Sequence, residues 1–297
     1  MTSRPRSRKP SDALARYRVT EGRGFRLADH DPAGRGHTGL TKKTAPDLLA
    51  RGTQRLAELQ DMLYAQNRWA VLCLFQAMDA AGKDGTIKHV FSGVNPQGCQ
   101  VTSFKAPTST ELGQDFLRRH MLALPARGMI GIHNRSWYEE VLVVRQHPDI
   151  LARQQLPERV VSPRIWRERL EDITAHERYL ARQGVVILKF FLNVSREEQR
   201  ARFLKRLEEP EKHWKFRPED VSERRHWDAY MHAYQQAIRA TAAPHAPWYI
   251  VPADRKWLTR AVVVSAIVEA LEGLGLRYPV VDDAERAAFA EARAALE

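Results

Sequence analysis

Helices alternating with strands predict an α/β fold: a five-stranded parallel sheet with helices on both faces, three layers in all. Three observations carry this. Short, mainly apolar runs at 69–75, 128–132 and 185–192 suit strands buried on both faces. The segments between them repeat apolar residues at helical spacing. At 297 residues, 43% of them hydrophobic, the chain is long enough to bury a core of that size.

Residues 1–43 lack sustained periodicity and are rich in Arg, Gly, Ser and Pro, which predicts a basic N-terminal arm with some docked turns. Leu48, Leu49, Leu56, Leu59, Met62 and Leu63 place a helix over 44–67, ahead of the strand at 69–75. A glycine-containing loop and a helix over 83–91 follow. Residues 99–104 read as a strand. Residues 109–123 read as one helix, capped by Ser109 or Thr110, with Leu112, Phe116 and Leu117 inward. The strand at 128–132 leads to a helix over 137–146. A long amphipathic helix over 163–182 stops at Gly184, before the strand at 185–192. Helices over 196–208 and 220–240 flank the irregular stretch EEPEKHWKFRPED. The fifth strand is 248–251 and the last core helix 256–273. Residues 280–297, rich in Ala, Glu and Arg, form a helical tail, so the main domain spans 44–279.

Lys plus Arg is 47 against 36 for Asp plus Glu, a net charge of +11. The arm holds eleven of the cations and four of the acids, so +7 of the excess lies there, in residues such as Arg4, Arg6, Arg8 and Lys9. Such a run reads as a solvated tail rather than a nucleic-acid surface, so any phosphate site in the body must come from local clustering. Two cysteines, Cys73 and Cys99, are too few for a disulfide framework or a metal cluster and suit a reducing cytoplasm. No apolar run is long enough for a membrane span, and no apolar segment follows the basic N-terminus as a secretory signal needs.

Ligands of parallel sheets bind at the carboxyl ends of the strands, and there the unusual polar residues fall. The stretch FQAMDAAGKDG (75–85) joins a strand to a helix, as a Walker A loop must. Gly82 and Lys83 match the G-x-x-x-x-G-K-[ST] template, while Ala77 replaces its first Gly and Asp84 its Ser/Thr. The physics survives: successive N–H groups of Ala81, Gly82, Asp84 and Gly85 and the helix N-terminus form an anion cradle, and Lys83 adds a point charge. Loss of the hydroxyl ligand leaves Asp79 as the carboxylate for Mg²⁺. A structural turn with an incidental Gly-Lys remains the alternative for the loop alone. The third predicted strand ends in MIGIHNRSWYEEVLVVR (129–145), with Asn134 where a Walker B acid is expected. Ser136 and Glu139 also fit a capping box. Arg135, at a helix start beside the phosphate loop, suits oxyanion binding.

With these two motifs, the blocks SGVNPQG (92–98), SFKAPT (103–108), DFLRRH (115–120), EKHWKFRPEDV (211–221) and HAPWYIVPADRKW (245–257) resemble the family-2 polyphosphate kinases over about residues 15–275. The N-R-S-x-Y-E form of the second motif is similar to the class III subgroup, which is associated with both AMP and ADP as acceptors. The resemblance implies a P-loop kinase-like fold with a mobile helical lid, here at about 205–225, and a homo-oligomer. It implies Mg²⁺-dependent, reversible phosphoryl transfer between inorganic polyphosphate and nucleotides: AMP to ADP, ADP to ATP. It carries the loop acid to Asp79, the loop lysine to Lys83, the second-motif residues to Asn134, Arg135, Glu139 and Glu140, and the arginine after D-F-L to Arg119. Ala77, Arg118 and Glu140 stand where many members have Gly, Trp and Asp.

Asp79, Lys83, Arg119 and Arg135 are therefore the expected catalytic set. Lys88, one turn beyond Asp84, and Lys215 and Arg217 beyond the Pro-rich turn join the phosphate loop in holding polyphosphate. Lys105, Asn134, Glu139 and Glu140 are expected at the nucleotide, with an ion pair to a neighbouring Arg the alternative for Glu140. Trp214, Trp227 and Phe216 in so polar a stretch fit a docking lid. An ATP-dependent nucleotide kinase, or a basic binding protein without catalysis, are the rival readings.

Overall fold

A computed structural model of the chain describes residues 12–34 and 40–297. Arg4, Arg6, Arg8 and Lys9 of the predicted arm lie outside them. The sheet has six strands: β1 (Arg18–Val19), β2 (Ala70–Gln76), β3 (Cys99–Ser103), β4 (Ile130–Asn134), β5 (Val185–Asn193) and β6 (Trp248–Pro252), in the order β1-β6-β5-β2-β4-β3. Five are parallel, as the apolar runs predict. The sixth corrects the count of five: β1 pairs antiparallel with β6, Arg18 opposite Tyr249 and Val19 opposite Trp248. Two residues are too few to show a period in the sequence. The segment around β1 is anchored by buried Leu14, Tyr17, Phe25 and Leu27, and it covers what would otherwise be the open edge of β6.

Helices α1 (Ala45–Gln66) and α6 (Lys256–Glu272) pack on each other, and α2 (Lys83–Val90) lies against α6 on the same face. Helices α3 (Ile165–Arg182) and α5 (Trp227–Thr241) cover the other face. Helix α4 (Arg196–Glu208) leads into the irregular segment, and α7 (Asp283–Leu296) follows α6 with no buried residue. Strands β2 and β6 are buried along their whole length. Two predicted helices are broken. The stretch 109–123 is two single turns, Ser109–Leu112 and Arg118–Met121. Thr108 rather than Ser109 or Thr110 makes the capping box, with Glu111. The helix stops at Gly113, and the Asp115 side chain accepts the Leu117 N–H, offering the backbone a turn instead. The stretch 220–240 is Pro218–Glu223 followed by α5, separated by a tight turn from which Arg224 donates to Gln199 and to the Arg196 carbonyl.

Lys189 interrupts the apolar run of β5 and is wholly buried. Its ammonium donates to Glu177 at 2.6 Å, the Thr241 carbonyl at 2.7 Å and the Tyr138 hydroxyl at 3.1 Å, so β5, α3 and α5 share one satisfied polar node. Burial still holds the lysine below its ordinary pKa.

Candidate active site

The loop after β2 takes a shape that few side chains favour. Ala80 (φ 60°) and Gly82 (φ 105°) both lie in the left-handed region. A Cβ on Gly82 would meet only the Arg202 guanidinium, at 3.6 Å, so it is the backbone angle rather than space that calls for glycine. Lys83 opens α2 and folds back to donate to the Ala77 carbonyl at 2.9 Å, closing the loop. Burial, then repulsion from Arg135, pushes the Lys83 pKa down.

Arg135 also has a left-handed backbone (φ 70°), with its N–H donating to the Phe75 carbonyl at the end of β2. Its guanidinium reaches Asp79 at 3.1 Å and Glu139 at 2.9 Å. Attraction to Glu139 and then Asp79 outweighs burial and drives its pKa up. Gln76 donates to the other Glu139 oxygen at 2.9 Å. The capping-box alternative for Glu139 is therefore not what forms: Ser136 accepts from the Tyr138 N–H, while the Glu139 carboxylate faces Arg135 and Gln76. Asn134, at the tip of β4, donates to Asp84 at 2.7 Å.

Arg119 lies over the Phe104 ring, donates to the Lys105 carbonyl at 3.0 Å and faces Glu111 at 3.5 Å. Glu140 is only 7% exposed. Arg169 meets it at 3.1 Å and the Gln154 amide donates to both its oxygens, so the ion-pair alternative forms; burial raises its pKa against the pull of Arg169. Lys88, Lys215 and Arg217 are exposed, with the Lys215 ammonium over the Trp214 ring.

Every residue that the sequence places in the site borders one cavity of about 1180 Å³ at the carboxyl ends of the strands. Its two ends differ. Val101, Phe104, Pro107, Leu112, Phe116, Trp137, Val144 and Ile150 give one an apolar wall. Lys205, Arg206, Lys212, Lys215, Arg217, Lys256 and Arg260 crowd the other. Burial, then repulsion from Arg202, Lys205, Lys212 and Arg260, pushes the Lys256 pKa down, while Lys205 and Lys212 share Glu209 and Arg206 faces Asp220 at 3.7 Å. Lys205, Arg206, Lys212, Lys256 and Arg260 are not among the site residues that the sequence names. They come from three separate segments, and only the PADRKW block hinted at Lys256.

The sequence and the fold both find matches among known proteins. A family model described as polyphosphate kinase 2 (PPK2) matches residues 39–277. The chain belongs to the polyphosphate kinase 2 family. Among its relatives in that family, an ADP-polyphosphate phosphotransferase of Rhodopseudomonas palustris is 51% identical over 247 residues, covering 83% of this chain and 86% of the relative. An AMP/ADP-polyphosphate phosphotransferase of Meiothermus ruber is 44% identical over 266 residues, 90% of this chain and 96% of the relative. The crystal structure of polyphosphate kinase 2 from Arthrobacter aurescens TC1 superposes with a TM-score of 0.84 at 38% identity, covering 98% of this chain and all of that one. As a polyphosphate kinase 2, this chain is a kinase that uses polyphosphate, and the P-loop α/β architecture expected from the resemblance is the one found.

Proposed function

We propose that the chain moves a phosphoryl group between inorganic polyphosphate and both nucleoside mono- and diphosphates, AMP to ADP and ADP to ATP, reversibly. The two-ended cavity carries the reading. Its cationic end suits a polyanion with one charge per phosphate and no base to recognise, and its apolar end suits a nucleoside. The ends meet at Lys83, Asp79 and Arg135, where the acceptor phosphate oxygen attacks the terminal phosphorus in line and the shortened polyphosphate leaves. Such a transfer needs alignment and charge neutralisation more than covalent chemistry, and Lys83, Arg119 and Arg135 supply positive charge around the reacting centre. Relatives named for AMP and ADP acceptors, and Asn134 in the second motif, support the dual acceptor.

Mg²⁺ fits the donors present. Asp79 and Glu139 offer carboxylate oxygens to the cavity, and no cluster of three or more potential ligands occurs among the described residues. One or two carboxylates completed by phosphate oxygens and water is how this ion usually binds. Bound there, it would neutralise charge on the phosphates, while Arg135 holds the two carboxylates in place. The reading includes a cytoplasmic homo-oligomer that binds neither nucleic acid nor membrane; no described helix is long and apolar enough to cross one.

The test is ATP formation by purified protein with Mg²⁺ and long-chain polyphosphate, with ADP and AMP in separate tubes. The AMP tube contains an adenylate-kinase inhibitor, and controls omit polyphosphate. Product from both acceptors is expected. Product from ADP alone removes the monophosphate step, and turnover only when ATP is supplied as donor removes the polyphosphate reading.

A further inference from the structure

The phosphate loop is held from outside by one face of α4. Gln199 donates to the Asp79 carbonyl at 2.9 Å. One turn on, Arg202 donates to the Ala80 carbonyl at 3.1 Å and the Ala81 carbonyl at 2.7 Å. Three consecutive carbonyls of the loop are thus captured by two side chains spaced i, i+3 on one helix. In a planar trans peptide the N–H points opposite to the C=O of the same unit. Drawing these carbonyls towards α4 therefore turns the N–H groups of Ala80 and Gly82 the other way, and among the described residues neither amide has a protein acceptor. The Ala81 N–H makes only a long turn bond of 3.3 Å to Met78.

We propose that Gln199 and Arg202 are positioning residues that pre-organise the phosphate loop. They turn its amides towards the phosphoryl group and couple that geometry to the segment 209–226. Both side chains are built for the task. Gln199 is 1% exposed and Arg202 9%. The Gln199 amide is oriented by Arg224, which donates to its oxygen at 2.6 Å and leaves the NH₂ for Asp79. Arg202 is fixed by Glu198 at 2.8 Å and also donates to the Ala253 carbonyl at 2.6 Å and the Asp254 carbonyl at 3.2 Å, beyond β6. Arg202 precedes the irregular segment and Arg224 closes it, so both of its ends are tied to the loop. A lysine could not span Ala80, Ala81, Ala253 and Asp254 at once, because it has one nitrogen where the guanidinium has a planar fork.

The inference rests on the loop being the phosphate site, and the experiment separates the two. Tripolyphosphate binding is measured by calorimetry on the full chain for the parent, Gln199→Glu, Arg202→Lys and Lys83→Met. Gln199→Glu keeps an oxygen for Arg224 but has nothing to donate to Asp79, so the fold is retained and one hold on the loop is lost. About a tenfold weaker dissociation constant is expected for Gln199→Glu, and about the same for Arg202→Lys, with melting temperatures close to the parent's. For Arg202→Ala, added guanidinium is expected to restore part of the binding. If Gln199→Glu binds like the parent while Lys83→Met does not, the positioning role is wrong. If Lys83→Met also binds like the parent, the loop is not the phosphate site and the proposed function fails with it. A loss of binding that tracks a loss of melting temperature, with no guanidinium rescue, makes the two side chains merely structural.

Discussion

Arg135 gives the sharpest test of the site, because its effects on stability and on activity are expected to separate. Its backbone is left-handed, a conformation that costs a non-glycine residue about 1–2 kcal/mol. In return its guanidinium bridges Asp79 at 3.1 Å and Glu139 at 2.9 Å. All three side chains are partly exposed, at 38%, 33% and 26%, so solvent screens the pairs and each is worth at most about 1 kcal/mol to the fold. Replacing Arg135 by glycine relieves the strain and removes both pairs, and the two changes nearly cancel. The melting temperature is expected to stay within about 4 °C of the parent's. Turnover is a different matter, since an arginine on a transferring phosphoryl group accounts for about 10³-fold or more. Arg135→Lys keeps the charge but bridges only one carboxylate. One lost charge-assisted hydrogen bond, about 1.5–3 kcal/mol, predicts a fall in kcat of about 10- to 100-fold. The assay is the initial rate of ATP formation from ADP and polyphosphate at saturating concentrations, beside a thermal melt. Arg135→Lys turning over within threefold of the parent would refute the bridging argument. So would a loss of activity in Arg135→Gly matched by a collapse in melting temperature.

Three further outcomes follow from the same geometry. Glu140→Ala leaves Arg169 buried with its charge uncompensated, which is expected to cost about 3–5 kcal/mol in urea unfolding; a loss below about 1 kcal/mol would show that Gln154 alone satisfies Arg169. His120 is 4% exposed, and burial, helped by His133, Arg119 and His176, holds its pKa down at about 2 against an ordinary 6.5. The unfolded chain therefore takes up a proton that the folded one refuses: the stability is intact above pH 6.5 and drains away below it, at about 1.4 kcal/mol per pH unit for this group. His120→Phe is expected to flatten the slope of unfolding free energy between pH 6 and 5 by about that amount, and an unchanged slope would mean that His120 opens to water before the fold is lost. Trp214 is 77% exposed with Lys215 over its ring, so tripolyphosphate drawn to Lys215 is expected to change tryptophan emission, less so at high salt; Trp214→Phe should abolish the change.

The central parallel strands were legible because a strand buried on both faces must be largely apolar, as β6 and all of β2 but its terminal Gln76 are. β1 was not, because its position comes from pairing with β6 and from Tyr17 and Phe25 settling into the core, neither of which leaves a period in two residues. The helix expected over 109–123 illustrates the opposite error: its apolar spacing is genuine, but Gly113 and the Asp115 turn give the backbone a cheaper course. At the site, Asp79, Lys83 and Arg135 could be named because they sit in contiguous motifs at strand ends. Gln199 and Arg202 could not. In REEQRARFLKRLE they look like any solvated helix face, and only folding reveals that this face is turned towards the loop.

The two departures from the Walker A template acquire a physical account in the fold. The first glycine of the template is replaced by Ala77, whose φ is not left-handed; that burden falls on Ala80 and Gly82 instead. What position 77 contributes is its carbonyl, which accepts the Lys83 ammonium, and a carbonyl is common to glycine and alanine. Where the template has Ser/Thr, Asp84 accepts from Asn134, and in the second motif Asn134 stands where an acid is expected. The two substitutions answer each other. Two carboxylates 2.7 Å apart would repel, whereas an amide donating to a carboxylate joins β4 to the start of α2 and leaves a single negative charge between them. On the proposed function, the carboxylates nearest the transferring group are then Asp79 and Glu139, and the single guanidinium of Arg135 pairs with both. On the same reading, the cation-binding oxygen that the template's Ser/Thr offers at the helix start is offered instead by Asp79 in the middle of the loop, and the amide cradle is kept.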